Sequence, residues 1–236
     1  MNRKLFTRVL SAAVALCLVF CLFSGCGNKT DDTSDKIATS PAGNNTASSD
    51  NNTSPAGKKT SPAGDQAATG EHSKVKVTME SGDSFIIELY PEYAPETVAN
   101  FLKLVGEGFY NGLTFHRVVD NFMAQGGDPE GTGSGGSPDT IKGEFSSNGF
   151  TQNTLSHTRG VVSMARSNAP DSASSQFFIC YGDSTFLDGN YAAFGKVIEG
   201  MEVVDGFCKV ERTMNSMGEM ATPVNPIVMK TVEVIK

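Results

Sequence analysis

Between Lys74 and Lys236 the apolar positions recur with two different periods. Val75, Val77 and Met79 alternate with Lys76 and Thr78, Ser81-Gly82-Asp83 interrupts, and Phe85 to Tyr90 runs apolar again. Alternation broken by a short glycine-containing segment predicts a β-hairpin. From Pro95 the period lengthens: Val98, Phe101, Leu102 and Val105 recur at helical spacing, which predicts an amphipathic helix. Pro95 suits its first position, Glu96 suits the positive end of its dipole, and Gly106 and Gly108 stop it. Strands are expected at 113–119, 122–125, 160–165, 176–180 and 191–197, a second helix from Met201 to about Phe207, and a last strand from Ile227 to Ile235. Many short strands with only two helices favour a mainly β fold, a closed antiparallel barrel, because parallel βαβ units would need more helices.

The chain ahead of this domain has another character. In residues 1–26, Arg3, Lys4 and Arg8 precede an apolar run from Val9 to Phe23, shorter than a typical membrane span, which is followed by Ser24-Gly25-Cys26. The pattern resembles a bacterial lipoprotein signal, in which the cysteine is lipidated and becomes the mature N-terminus; Phe23 stands where leucine is usual. An ordinary secretory signal and an uncleaved anchor are the alternatives. Acyl chains on Cys26 would hold the protein extracytoplasmically at the cell membrane without spanning it. Residues 27–72 are rich in Asn, Thr, Ser, Asp, Ala and Gly, repeat SPAG at Ser40, Ser54 and Ser61, and include one large aliphatic, Ile37. Such a segment buries too little to offset chain entropy and reads as a disordered tether, with a reach of about 35–40 Å.

Charge and cysteine usage narrow the chemistry of residues 73–236. The formal net charge of the whole chain is −7, and loss of Arg3, Lys4 and Arg8 with the signal takes the remaining chain to −10. An acidic domain without a basic aromatic patch argues against nucleic acid as a partner. Cys180 and Cys208 remain in the domain. They could pair outside the cytoplasm, but Cys180 lies in an apolar run where a buried free thiol is equally natural.

Two segments concentrate chemistry. Phe115 to Asp128, FHRVVDNFMAQGGD, sets Arg117 and Gln125 among Phe122 and Met123, then ends in a Gly-Gly pair that is expected to turn. Alternation along 113–119 puts Arg117 on the face of Phe115 and Leu113, where a cation requires a partner or a ligand. Asp120 and Asp128 are the candidate partners. Ser175 to Cys180, SQFFIC, is a second β-rich run in which Gln176 leads two aromatics. A greasy groove with a few directed donors is the make-up of a peptide or small-ligand site. Other patterns fail. Gly131 to Gly136 matches GxGxxG, but no apolar helix follows to present its N-terminus to a phosphate, so it reads as a flexible loop beside a site. His116 and His157 lack a second ligand at metal spacing, and no serine is marked as a nucleophile. No metal and no cofactor are expected.

FHRVVDNFMAQGGD, GVVSMAR (Gly160 to Arg166), SQFFIC and FLDGNYAAFGKVIEGMEVVD (Phe186 to Asp205) fall in one order across the domain. In that order they resemble the signature segments of the cyclophilin family of peptidyl-prolyl cis-trans isomerases. The resemblance implies a closed eight-stranded antiparallel barrel capped by two helices, acting as a monomer on proline-containing peptides and folding proteins. It carries the catalytic arginine onto Arg117, with Phe122 and Gln125 beside it. Proline-pocket residues fall on Phe122, Met123, Phe178 and Leu187, the second amide on Gln176, backbone contacts on Ala165, Arg166 and Ser167, and a groove-wall glycine on Gly131. Three positions depart from the pattern: Phe186 replaces the tryptophan of eukaryotic members, whose indole N–H donates to cyclosporin, Tyr191 replaces a groove histidine, and Arg166 replaces an asparagine. A binding module that grips proline peptides without turnover, and an envelope-structural lipoprotein, are the competing readings.

Overall fold

The computed structural model of the chain describes residues 72–236. The signal segment and nearly all of the tether lie outside the described residues.

Strands β1 (Lys74–Met79) and β2 (Ser84–Leu89) form the expected hairpin, each alternating half-buried and buried residues along its length. Helix α1 (Pro95–Gly106) follows, with proline in its first turn and Val98, Phe101, Leu104 and Val105 buried. No side chain at its N-cap serves the free amides. Glu144, distant in sequence and itself buried, accepts the N–H groups of Glu96 and Thr97 at 2.9 and 2.8 Å. A carboxylate there satisfies orphan donors and meets the positive end of the dipole.

Next come β3 (Thr114–Val119), β4 (Met123–Asp128), β5 (Val161–Met164), β6 (Phe177–Cys180) and β7 (Ala193–Glu199). The second helix, α2 (Met201–Gly206), ends in a short 3₁₀ turn over Phe207–Lys209. Two short strands that the apolar pattern does not predict, β8 (Arg212–Met214) and β9 (Met220–Pro223), form a separate hairpin before the last strand, β10 (Met229–Ile235).

Eight strands make one antiparallel sheet in the order β10-β1-β2-β7-β5-β6-β4-β3. Its two edges approach each other where β3 begins: the N–H groups of Gly112 and Phe115 donate to Met229 and Ile227, and that of Met229 to Leu113, at 2.7–2.9 Å. This is an isolated bridge, Thr114 to Val228, rather than the continuous ladder of the closed barrel expected. The architecture is therefore mainly β, a curled eight-stranded sheet with two helices.

The curl encloses an aromatic core. Phe101 of α1 lies 5.1 Å from Tyr110, 5.5 Å from Phe177 and 5.1 Å from Phe194, ring centre to ring centre. All four side chains are essentially inaccessible. β6 shows how the same sheet builds a second apolar layer. Phe177 and Ile179 point into this core, while Phe178 and Cys180 join Met123 and Leu187 in a cluster of their own. A strand buried on both faces reads as a continuous apolar run, which is why FFIC has no polar interruption.

Candidate active site

The second apolar cluster is the floor of the site. Met123, Phe178, Cys180 and Leu187 are buried in it, with Phe122, Val119, Ala165 and Tyr191 packed against them. Met123 comes from β4, Phe178 and Cys180 from β6, and Leu187 from a single 3₁₀ turn (Thr185–Leu187). Tyr191 meets Phe178 edge-on with ring centres 6.0 Å apart. Phe186 is 70% exposed, and its ring lies 5.6 Å from that of Phe122.

Arg117 stands at the border of this cluster, by a route that differs from simple alternation. β3 is irregular on both sides of Phe115, and His116 has no cross-strand partner in its ladder with β4. The extra residue leaves Phe115 and Val118, not every second residue, as the core-facing positions. Arg117 therefore lies off the face of Phe115, opposite Gln125 of β4. Its ion partner is neither of the aspartates expected. Asp120 pairs with Arg212 at 2.8 Å. Glu219, on the β8–β9 hairpin, takes Arg117 in a fork: Nε donates to Oε2 at 2.8 Å and Nη2 to Oε1 at 2.7 Å. The Arg117 guanidinium holds the Glu219 carboxyl below the usual carboxylate range, against the opposing effect of burial.

The rest of the guanidinium faces the groove. Nη1 donates to Gln125 Oε1 at 3.1 Å and lies 4.0 Å from Met123 Sδ. Gln125 Nε2 donates to Gln176 Oε1 at 2.8 Å, and Gln176 Nε2 to the carbonyls of Gly133 and Gly135 at 3.0 and 2.8 Å. A single polar chain thus runs from Glu219 through Arg117, Gln125 and Gln176 to the glycine-rich loop. Both amides have their oxygen and nitrogen roles set by it.

That loop does cradle an anion, and the anion is the protein's own Asp128. The N–H of Glu130 donates to Oδ1, and those of Thr132, Gly133 and Gly135 to Oδ2, at 2.6–3.3 Å. Burial raises the Asp128 pKa, but the amide donors and nearby His116 outweigh it and hold the carboxyl below its usual range. A Cβ on Gly135 would collide with that carboxylate. Gly131, the groove-wall glycine, has φ +65° beside Thr114. The Gly126-Gly127 pair, expected to turn, lies inside β4. A Cβ on Gly127 would come within 2.7 Å of the Ser175 carbonyl.

On the far side of the cluster, Ala165 is tied to Gln176 by its N–H, 2.9 Å from the carbonyl. Arg166 lies 4.9 Å from the centre of the Phe145 ring and 4.7 Å from that of Tyr191, and donates to the Asn190 carbonyl through Nε and Nη2. Ser167 is exposed and closes a small turn with Ser172. The sequence-derived residues thus fall on one region, with Phe186 and Ser167 at its exposed margin.

Sequence reasoning misses Glu219 and the ordering of His157. His157 is buried, with Nδ1 2.7 Å from Asp188 Oδ1 and Nε2 2.9 Å from Ser163 Oγ. Burial pushes its pKa down, against the pull of Asp188. This Asp-His-Ser line resembles a nucleophile relay, but Ser163 is sealed in the sheet and no substrate can reach it. The line instead supports the pocket. The His157 ring stacks on Phe178 at 6.0 Å, and Asp188 directly follows Leu187. Cys180 and Cys208 are free thiols. Among the described residues no group of three or more His, Cys, Asp or Glu is placed to hold a metal. A hollow of about 460 Å³ elsewhere is lined by Met79, Phe207 and Ile227 with Glu80, Asp83 and Glu202, and no Lys, Arg or His is among its lining residues.

Comparison with known proteins agrees with this geometry. Residues 74–234 match the family model described as cyclophilin-type peptidyl-prolyl cis-trans isomerase/CLD. Peptidyl-prolyl cis-trans isomerase B of Bacillus subtilis is 50% identical over 124 residues, 52% of this chain and 82% of that protein. A probable peptidyl-prolyl cis-trans isomerase of Brucella suis is 40% identical over 180 residues, 71% of this chain and 86% of the relative. A crystal structure of a cyclophilin-type isomerase from Cryptosporidium parvum superimposes with a TM-score of 0.62 at 29% identity, covering 70% of this chain and 99% of that one. A second structure of the same protein, in the presence of the dipeptide Ala-Pro, gives 0.60 at 30% identity over 69% of this chain and 99% of that one. With its aromatic floor, its arginine and its two linked amides in place, this chain belongs to the cyclophilin-type peptidyl-prolyl cis-trans isomerase family.

Proposed function

We propose that this site accelerates cis-trans isomerisation of X–Pro bonds in peptides and unfolded proteins outside the cytoplasm, and that it does so with Arg117. The observation that carries the proposal is the position of Arg117 Nη1, shared between Gln125 Oε1 and the edge of the cluster that holds Met123, Phe178 and Leu187.

The chemistry follows from the bond. An X–Pro amide resists rotation by roughly 18–20 kcal/mol because its nitrogen shares electrons with the carbonyl. At the twisted state that sharing is lost and the nitrogen carries a free lone pair. A guanidinium N–H that donates to the lone pair stabilises only the twisted state, and this is what lowers a barrier. No bond between heavy atoms forms or breaks, so neither nucleophile nor metal is required. The cluster of Phe122, Met123, Phe178 and Leu187 holds the proline ring and excludes water that would compete for Nη1. Gln125 keeps Nη1 in place, and Gln176 keeps Gln125 in place. The edges of Ala165, Arg166 and Ser167 offer backbone groups to the peptide, and the Arg166 cation beside them favours acidic residues near the proline.

The location is read from residues 1–26. We propose lipidation of Cys26 and attachment of a monomeric domain to the outer face of the cell membrane through the segment 27–72. Cys26→Ser is expected to move the protein from the membrane to the soluble fraction, because the acyl chains supply the anchor and an acidic domain gains nothing from anionic lipid. Retention on membranes after that change would assign the anchor to the apolar run itself.

The isomerase reading is tested by turnover of a proline-containing peptide by the wild-type chain beside Arg117→Ala. Turnover in the wild type that falls with Arg117 removed supports it, and peptide binding without turnover would make the domain a proline-binding module.

A further inference from the structure

The β8–β9 hairpin does more than decorate the sheet. It is built around one carboxylate. Asn215 and Glu219 close the turn between them: the Asn215 N–H donates to the Glu219 carbonyl at 2.8 Å, and Asn215 Oδ1 accepts the N–H groups of Met217 and Glu219 at 3.0 and 2.9 Å. Asn215 Nδ2 then donates to Glu219 Oε2 at 2.8 Å. The base of the hairpin is fastened to β3 by Arg212, which reaches the Val118 carbonyl at 3.1 Å and Asp120 at 2.8 Å. The Glu219 side chain is 22% exposed and the Arg117 side chain 19%.

We infer that Glu219 is a positioning residue for Arg117, holding the guanidinium in the plane that aims Nη1 at the nitrogen of a bound proline; this rests on the isomerase reading above. A guanidinium has five N–H groups in one fixed plane. Glu219 takes one on Nε and one on Nη2, the edge away from Met123, and Gln125 takes one on Nη1. Two fixed points on one edge and one on the other leave the plane no freedom to turn. The N–H groups not engaged by these oxygens are one on Nη1 and one on Nη2. The first is on the atom that lies 4.0 Å from Met123 Sδ, at the border of the apolar floor. Without Glu219, Gln125 alone would hold Arg117, and a single hydrogen bond lets a long side chain pivot.

The carboxylate also draws on the charge of Arg117, and that opposes catalysis. Orientation outweighs it because Glu219 binds the edge remote from the reacting nitrogen, while Nη1 stays donor-rich. A released guanidinium would keep its full charge and lose its aim. Misplacement of a catalytic group by about 1 Å can lower a rate up to about a hundredfold.

The test is a double-mutant cycle on the full chain, with peptide turnover and peptide affinity measured separately. Glu219→Ala is expected to lower kcat by roughly ten- to a hundredfold with KM little changed. Glu219→Gln, which keeps one acceptor oxygen, is expected to fall between it and wild type. In an Arg117→Ala background Glu219→Ala should have no further effect, because nothing remains to position. A hairpin that merely stabilises the fold would instead give the same loss in both backgrounds. Asn215→Ala, which leaves Glu219 in the chain but frees it, is expected to shift kcat in the same direction by less. Thermal unfolding of each variant controls for loss of structure. The ¹⁵N signals of Arg117 supply a readout independent of turnover: hindered rotation of the guanidinium in wild type, and free rotation in Glu219→Ala. Unchanged or faster turnover in Glu219→Ala, with wild type active, overturns the inference and leaves the isomerase reading intact. An inactive wild type overturns both.

Discussion

The Arg117 side chain donates to the side chains of Glu219 and Gln125 around the groove and not to the backbone that holds the sheet together. Its removal should therefore harm the reaction more than the fold. Arg117→Ala is expected to lower kcat by about a hundred- to a thousandfold, the usual loss for one preorganised donor, with peptide affinity nearly unchanged; stopped-flow turnover beside calorimetric binding checks it. Arg117→Lys should not restore the rate, because an ammonium cannot serve the Glu219 fork and Gln125 together. Phe186 is the residue at which cyclosporin would miss an indole N–H. At 70% exposure, a carbonyl left unpaired there keeps access to water. Phe186→Trp should thus tighten cyclosporin inhibition by only about tenfold, the low end of the cost of an unsatisfied acceptor, with peptide turnover little changed. The identity of Arg117 is legible in FHRVVDNFMAQGGD, but its direction is not. Strict alternation turns it toward Phe115, and only the irregular register around His116 turns it away. A one-residue bulge leaves no trace in an apolar pattern that is short and crowded with Val and Phe.

Elements that pack apolar stripes against one another were the easiest to foresee. The β1–β2 hairpin, α1 and the run of β6 lie where period and composition place them. Elements held by polar groups distant in the chain were not. Glu144 caps α1 across 47 residues, and no local pattern announces it. The β8–β9 hairpin has Asn215 and Gly218 in its turn but exposed methionines on its strands, and its one buried residue, Ala221, is too small to mark an apolar face. Composition alone makes the glycine loop read as flexible, yet four amides fix it around Asp128. Rigidity of this kind makes two predictions. Gly127→Ala should destabilise the fold by at least about 2 kcal/mol in urea unfolding, since φ there is +84° and a Cβ would press on the Ser175 carbonyl. Glu144→Ala should cost about 1–2 kcal/mol by the same measurement, the loss of a helix cap.

Across the whole molecule, the titrating groups with resolved shifts in the acid range point one way. His116 and His157 have pKa values below their ordinary 6.5, chiefly through burial. Asp120 and Glu219 lie below their ordinary values chiefly through arginine partners, and Asp128 and Asp188 through donors that outweigh burial. Each group binds fewer protons folded than unfolded, so each contributes stability above its unfolded pKa that is lost as pH falls through its folded one. Urea midpoints should therefore be highest near neutrality, begin to decline below about pH 6.5 as the histidines charge in the unfolded chain, and fall faster once pH drops below the ordinary carboxylate values of 3.8–4.5. A midpoint that rises on acidification to pH 5 would contradict the sign. The cluster beneath the groove holds one more group of use. Cys180 is inaccessible, and burial raises its thiol to about 12, whereas Cys208 is only partly covered. An alkylating reagent meets two clocks in one molecule: Cys208 should react promptly, and Cys180 only when the floor of the groove parts. The slow rate then times the opening of the very surface on which a proline would rest, and a bound peptide should lengthen it without touching the sulfur.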